Sequence, residues 1–283
     1  MHQVRPINNT VTMSANAAHA APPRRRAGGC ADRIRCRLVF ILLPPSETKA
    51  IGGDPDALDL DSLLFPELRK LRGGLISALG RLSRNPSAAR SALGVSAAKD
   101  AEIAANTLLC TAPTLPAVAR YTGVLYDALD VTGMTSIERS RAEGRLLIAS
   151  ALFGVVRAAD RIPAYRLSAG SQLPGLGTIA AQWRPSLSPL LASLDGPVVD
   201  LRSGAYAAFA DVPGAIGVRV VTERPDGSQA VVSHFSKHTK GRLARVLAAS
   251  RAGLEGPSDI LRVARRAGLR VERVGDRALQ IVT

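Results

Sequence analysis

The sequence predicts a mixed α/β fold, because short β-branched runs alternate with longer segments of helical period. Three observations carry that expectation. LVFILL at 38–43 and PVVDLRS at 197–203 are apolar runs broken by Pro or by Ser-Gly, the mark of a buried strand. Leu68, Leu71, Leu75 and Leu79 recur every three or four residues, as on an amphipathic helix. IGVRVVTE at 216–223 and QAVVSHF at 229–235 flank Pro225-Asp226-Gly227, a hairpin signal.

Composition bounds the rest. With 283 residues, 46% of them hydrophobic, the chain can bury a sizeable core in one large domain or two modest ones. No window approaches 18 consecutive apolar residues, so no membrane span is expected, and the N-terminus lacks the apolar core of a secretory signal. Cys30, Cys36 and Cys110 have no paired metal spacing, and an odd count argues against a disulfide framework. A reduced, cytoplasmic setting follows, with Cys110 read as a small buried residue. The net charge of +14 sits at the two ends: seven Arg against Asp32 in residues 1–38, and 11 basic against 4 acidic residues in 237–283. Brought together, those ends would attract polyanions.

Along the chain, residues 1–37 read as a disordered basic extension without apolar period. The strand at 38–43 delivers Ser46, Glu47, Thr48 and Lys49 into a loop whose hydroxyls and ammonium suit an anion. Ser46 and Lys49 also match the S-x-x-K spacing of a Ser nucleophile, but without its companion motifs, and the anion-gripping reading outweighs it. SAARSALGVSAAKDAEIAANTLL then reads as helix, tight turn at Leu93, Gly94, Val95 and Ser96, and a second helix bearing Lys99. A helix-hairpin-helix-like corner of this kind offers backbone amides and a Lys to a phosphate; an ordinary helix corner is the plain alternative. Tyr121 and Tyr126 come together around Gly123, and SIERSRAEGRLLIAS at 136–150 is expected to be helical.

LFGVV at 152–156 reads as a strand leading into a loop with Arg157, Asp160, Tyr165 and Arg166. The two arginines suit bidentate contacts to phosphate or carboxylate; pairing of Arg157 with Asp160 weighs equally. A helix follows around Trp183, expected partly buried. The strand at 197–203 breaks at Ser203 and delivers Tyr206. The second hairpin strand runs into a helix whose first turns carry Lys237, Lys240 and Arg242, where the helix dipole disfavours cations unless an anion binds. His238 lacks a Cys or carboxylate neighbour at ligand spacing, so neither a metal nor another cofactor is expected. A helix and two short strands around Gly275-Asp276 close the chain, and no internal repeat appears.

Six blocks in order, from the strand into PPSETK to SHFSKHTKGRLAR at 233–245, resemble the YaaA peroxide-stress family. Between them lie GVLYDAL at 123–129, SALFGVVRAADRIPAYRL at 150–167, Trp183 and VVDLRSGAY at 198–206. The resemblance covers roughly Val39 to the C-terminus. It implies a single domain over 38–283 with a mixed β-sheet surrounded by helices, a cytosolic location and a basic cleft. It also implies association with the hydrogen peroxide response and binding of double-stranded DNA through the cleft and a helix-hairpin-helix, without a settled reaction. Lys237, Lys240, Tyr165, Arg166, Arg157, Ser203 and Tyr206 stand at matching positions. Ser168, Ala205 and Val124 depart from the pattern, standing where relatives carry acids, which favours anion binding over acid–base chemistry. Two readings therefore go forward: a monomeric protein binding double-stranded DNA without strong sequence preference, and an enzyme acting on a small anionic or nucleobase-like ligand held in the same cleft, its catalytic residues unknown.

Overall fold

The computed structural model of the chain describes residues 1–2, 38–202, 204–224, 229–230 and 233–283. The expected N-terminal extension, Ser203 and the Pro225-Asp226-Gly227 turn lie outside the described residues.

Strand β1 (Phe40–Leu43) is almost wholly buried and ends at Pro44-Pro45, where the missing N–H groups stop the ladder. Helices α1 (Arg69–Ser83), α2 (Pro86–Leu93) and α3 (Asp100–Ala105) follow. Helix α2 starts where the Asn85 side chain accepts the Ala88 N–H and Pro86 occupies the first turn. It stops at Gly94, whose φ of 64° is a left-handed conformation that a glycine adopts without strain. A 3-10 turn at Ala97–Lys99 leads into α3, so the predicted helix–turn–helix path is present; its use as a DNA-binding hairpin is a separate matter.

Strand β2 (Thr114–Pro116) precedes α4 (Ala117–Arg120), α5 (Val124–Leu129) and α6 (Ser136–Arg145). A capping box between Thr135 and Glu138 opens α6 at the expected place, but the helix ends at Arg145 and does not reach residue 150. Leu146–Ser150 is strand β3, buried at every residue between its neighbours. A segment apolar all round belongs inside a sheet, and LLIAS has no polar face to give a surface helix. Strand β4 (Gly154–Arg157) follows a turn, and β5 (Arg161–Pro163) pairs with β2. The short β6 (Gln172–Leu173) and β7 (Gly177–Thr178) form their own ribbon before α7 (Ile179–Ala192). Trp183 on α7 is fully buried, deeper than its sequence context suggested, with Nε1 donating to the Ala151 carbonyl at 2.8 Å. Cys110, in contrast, is exposed.

The C-terminal part contributes β8 (Val198–Asp200), β9 (Ile216–Glu223), β10 (Gln229–Ala230), α8 (Ser233–Ala249), α9 (Pro257–Arg266), β11 (Val271–Gly275) and β12 (Ala278–Val282). Antiparallel pairing of β9 with β10 gives the expected hairpin. Helix α8 begins before the predicted strand end at Phe235, which places Lys237 in its second turn and Lys240 in its third. The dipole penalty expected for them therefore fades, because that effect is confined to the first turn.

The main sheet runs β11-β12-β9-β8-β1-β3-β4, with β10 added to β9. Its five middle strands are parallel, while β4 and β11 run antiparallel at the edges. From β1 the chain moves outward to β3 and β4, then returns past β1 to β8. Such a reversal opens a crevice beyond the carboxyl ends of the two strands that flank it. Helix α8 closes one side of that crevice by crossing α5 so tightly that a Cβ on Gly241 would run into the Leu125 carbonyl.

Candidate anion-binding site

A cavity of about 670 Å³ occupies this crevice, beyond the ends of β1 and β8 and between α5, β9 and α8. Ser46, Glu47 and Thr48 line it from the β1 side, Arg202 and Tyr206 from the β8 side. Arg219 reaches it from β9, and Lys237 and Lys240 from α8. Two strand ends, a third strand and two helices, distant in sequence, thus meet at one place.

The inner cations are spent on the protein itself. Lys240 Nζ donates to the Leu201 carbonyl at 2.8 Å and lies 3.4 Å from that of Arg202, closing the backbone where β8 ends. Burial lowers its pKa, with Asp200 opposing the shift. Arg202 grips Asp200 in a fork, Nε to Oδ1 at 3.0 Å and Nη2 to Oδ2 at 2.8 Å, and donates to the Ala210 carbonyl. Lys49 lies behind the lining, where Nζ donates to the Ser46 carbonyl at 3.2 Å and sits 4.3 Å from the centroid of the Tyr165 ring. Desolvation brings its pKa down to about 8 against the pull of Glu47. Ser46 Oγ bonds Thr48 Oγ1 at 3.1 Å, so the Lys49 ammonium meets the backbone of Ser46 and not its hydroxyl. A Ser–Lys nucleophile pair is therefore not assembled.

All four tyrosines of the chain gather here. The Tyr165 hydroxyl bonds those of Tyr121 at 2.9 Å and Ser150 at 2.8 Å, while Tyr126 donates to the Pro44 carbonyl. Burial pushes all four phenols far above their usual range. They remain protonated and act as hydrogen-bond donors and packing surface, which fixes the floor beneath the β1 loop.

The mouth differs. Lys237 and Arg219 are exposed and form no side-chain bond to another described residue. They hold their charges toward solvent at a cavity whose one lining carboxylate among the described residues is Glu47. Its partner is Arg166, at 3.1 Å.

The structure separates other residues that the sequence suggested together. Arg157 pairs with Asp160 at 3.3 Å and stands beside Leu147, near the amino end of the parallel strands and opposite the cavity. Antiparallel β4 carries it there, while the same loop returns Tyr165 and Arg166 to the other end. Arg242 is exposed on α8 but does not line the cavity. At the hairpin, Leu93 is buried, Gly94 makes the turn, Val95 packs on the core and exposed Ser96 precedes the 3-10 turn. Lys99 is paired with Glu102 at 2.6 Å. Sequence reading missed Arg202 and Arg219. Arg219 was legible as the one cation in the alternating strand IGVRVV, and Arg202 as the basic residue two positions after Asp200 at a strand end. Among the described residues no group of His, Cys, Asp or Glu is placed to hold a metal ion, and no helix is long and apolar enough to cross a membrane.

A mixed α/β protein with a cation-lipped crevice at its strand reversal is the class that fold and site define. Residues 39–273 match the family described as peroxide stress protein YaaA, and the chain belongs to that family. It is 50% identical over 238 residues to a UPF0246 protein of Corynebacterium efficiens, covering 83% of this chain and 95% of that one. A UPF0246 protein of Corynebacterium glutamicum is 45% identical over 83% of this chain and 95% of its own length. One from Streptomyces coelicolor is 43% identical, with 83% and 92% covered.

Proposed function

We propose that this peroxide-stress family member is a cytoplasmic monomer that binds double-stranded DNA through its phosphates, without strong sequence preference. The cleft mouth and the α2–α3 hairpin form the contact surface. The observation that carries this reading is the division of cations: Lys49, Lys240 and Arg202 are saturated by the protein, whereas Lys237 and Arg219 face outward with no acceptor among the described residues. Outward, flexible cations meet phosphates and set position, and they do not read base edges. Titration of a labelled duplex at several salt concentrations tests the idea. Log affinity should fall linearly with log salt, by about 0.9 per phosphate contact, and Lys237→Ala should reduce that slope by about 1 equally for unrelated sequences. A flat response, or no binding at low salt, removes the reading.

The size of the cavity favours a second reading, a small anionic or nucleobase-like ligand acted on in the same place. Its volume of about 670 Å³ and its Tyr126 and Tyr206 walls suit a small preformed site. Saturable binding of a mononucleotide by protein that shows no salt-dependent duplex binding would support it over the DNA reading.

A further inference from the structure

Glu47 is out of keeping with its surroundings, an exposed carboxylate on the lip of an otherwise cationic cavity. It belongs to a ladder of alternating charge. Glu47 Oε2 lies 3.1 Å from Arg166 Nη2, Arg166 Nη1 lies 3.4 Å from Glu102 Oε2, and Glu102 Oε1 lies 2.6 Å from Lys99 Nζ. The ladder runs from the cleft to the second helix of the hairpin, so it joins the two parts of the contact surface. Arg166 is its enclosed member, with 15% of its side chain exposed against 56% for Glu47. Asn106 fixes the Arg166 backbone, its Oδ1 accepting the Arg166 N–H at 2.8 Å and its Nδ2 donating to the carbonyl at 3.1 Å. The Arg166 backbone is thus fixed and its guanidinium lies between Glu102 and Glu47, of which Glu47 is the more exposed and lines the cavity.

We infer that Glu47 is a latch which sets the class of anion the cleft accepts. It occupies Arg166 until a phosphate group takes its place. An incoming anion must displace a carboxylate of its own sign, which a single phosphate engaging one cation does poorly. A polyphosphate backbone that meets Lys237 and Arg219 at the same time offsets that cost and then gains Arg166 as a further contact. The ligand class is therefore a contiguous polyanion, with isolated phosphate excluded. This rests on the anion-binding reading of the cleft given above.

The test uses the full chain, a labelled 20-base-pair duplex and the substitution Glu47→Gln. Release of Arg166 should tighten duplex binding about 3- to 10-fold and steepen the salt slope by about 0.9, the signature of one added phosphate contact. Inorganic pyrophosphate should also displace the duplex from Glu47→Gln at a several-fold lower concentration than from the wild type. Loss of a negative charge strengthens DNA binding by general attraction too, so Arg166→Gln supplies the control. In that background Glu47→Gln should leave the slope unchanged, whatever it does to affinity. Tightening without a change of slope, or the same gain of slope when Arg166 is absent, overturns the latch and leaves the DNA reading standing. Wild-type protein that fails to bind duplex at low salt overturns both.

Discussion

Replacing Arg120 with Met should unfold more of this protein than its distance from the cleft mouth suggests. The guanidinium is fully buried at the end of α4 and donates to four backbone carbonyls: Ile162 at 3.1 Å, Ala50 at 2.5 Å, Gly52 at 2.9 Å and Pro113 at 3.0 Å. Burial holds its pKa below the usual arginine value, with Arg161 adding to the shift, so the charge itself is costly in the folded state. Substituting Met relieves that cost, and buried ion pairs replaced whole by apolar groups are often neutral. The acceptors here are carbonyls that stay behind, however, and each buried acceptor left unpaired costs about 1–3 kcal/mol. Unpaired carbonyls outweigh the relief, and a net loss of about 3–5 kcal/mol is expected, because four acceptors at about 1–3 kcal/mol each exceed the desolvation regained by removing the charge. Urea unfolding followed by circular dichroism measures it. With a slope of about 2–3 kcal/mol/M for a chain of this size, the midpoint should drop by about 1–2.5 M. Two of the carbonyls belong to Ala50 and Gly52, just beyond the Ser46–Lys49 loop, so that loop should loosen and duplex affinity should fall as well. A variant within about 1 kcal/mol of the wild type, with unchanged slope, would refute the reasoning.

Two other outcomes are expected. Lys49 falls from 10.5 to about 8 on folding, so between those values the folded chain binds fewer protons than the unfolded one and stability rises as the pH climbs through that window. Relative to Lys49→Met, the wild type should gain up to about 3 kcal/mol between pH 7 and pH 11 in denaturant midpoints taken at several pH values; a constant difference would show that the ammonium is not desolvated. Gly241→Ala adds about 1 kcal/mol of helix propensity but drives a methyl group into the Leu125 carbonyl and to 2.8 Å from the Ala128 Cβ. No rotamer relieves a Cβ clash with backbone, so overpacking should prevail by about 1–3 kcal/mol and lower the melting temperature in calorimetry by several degrees.

Much of the architecture can be read directly from the chain. Pro44-Pro45 ends β1, Asn85-Pro86 opens α2 and Gly94 closes it, because each of these signals acts through its own backbone and needs no distant partner. The misreadings came where local pattern is ambiguous. LLIAS continued a helical segment in composition, and only its place between β1 and β4 made it a strand. The start of α8 was hidden because VVSHF suits a strand as well as a helix.

For the site, the sequence by itself determined which side chains were available and which loops would deliver them. It also determined the family, through blocks whose order survives from Val39 onward. Tertiary structure alone decided which cations are left for a ligand. Lys237 and Lys240 stand one turn apart on α8, yet one opens to solvent while the other closes the end of β8. Arg157 and Arg166 leave one loop, and the antiparallel run of β4 sends the first to the far end of the sheet. The physical reason is the same in both cases. A charge is free only when no carbonyl or carboxylate from elsewhere in the fold has claimed it, and those acceptors lie 39 residues away for Lys240 and 64 for the pairing of Arg166 with Glu102.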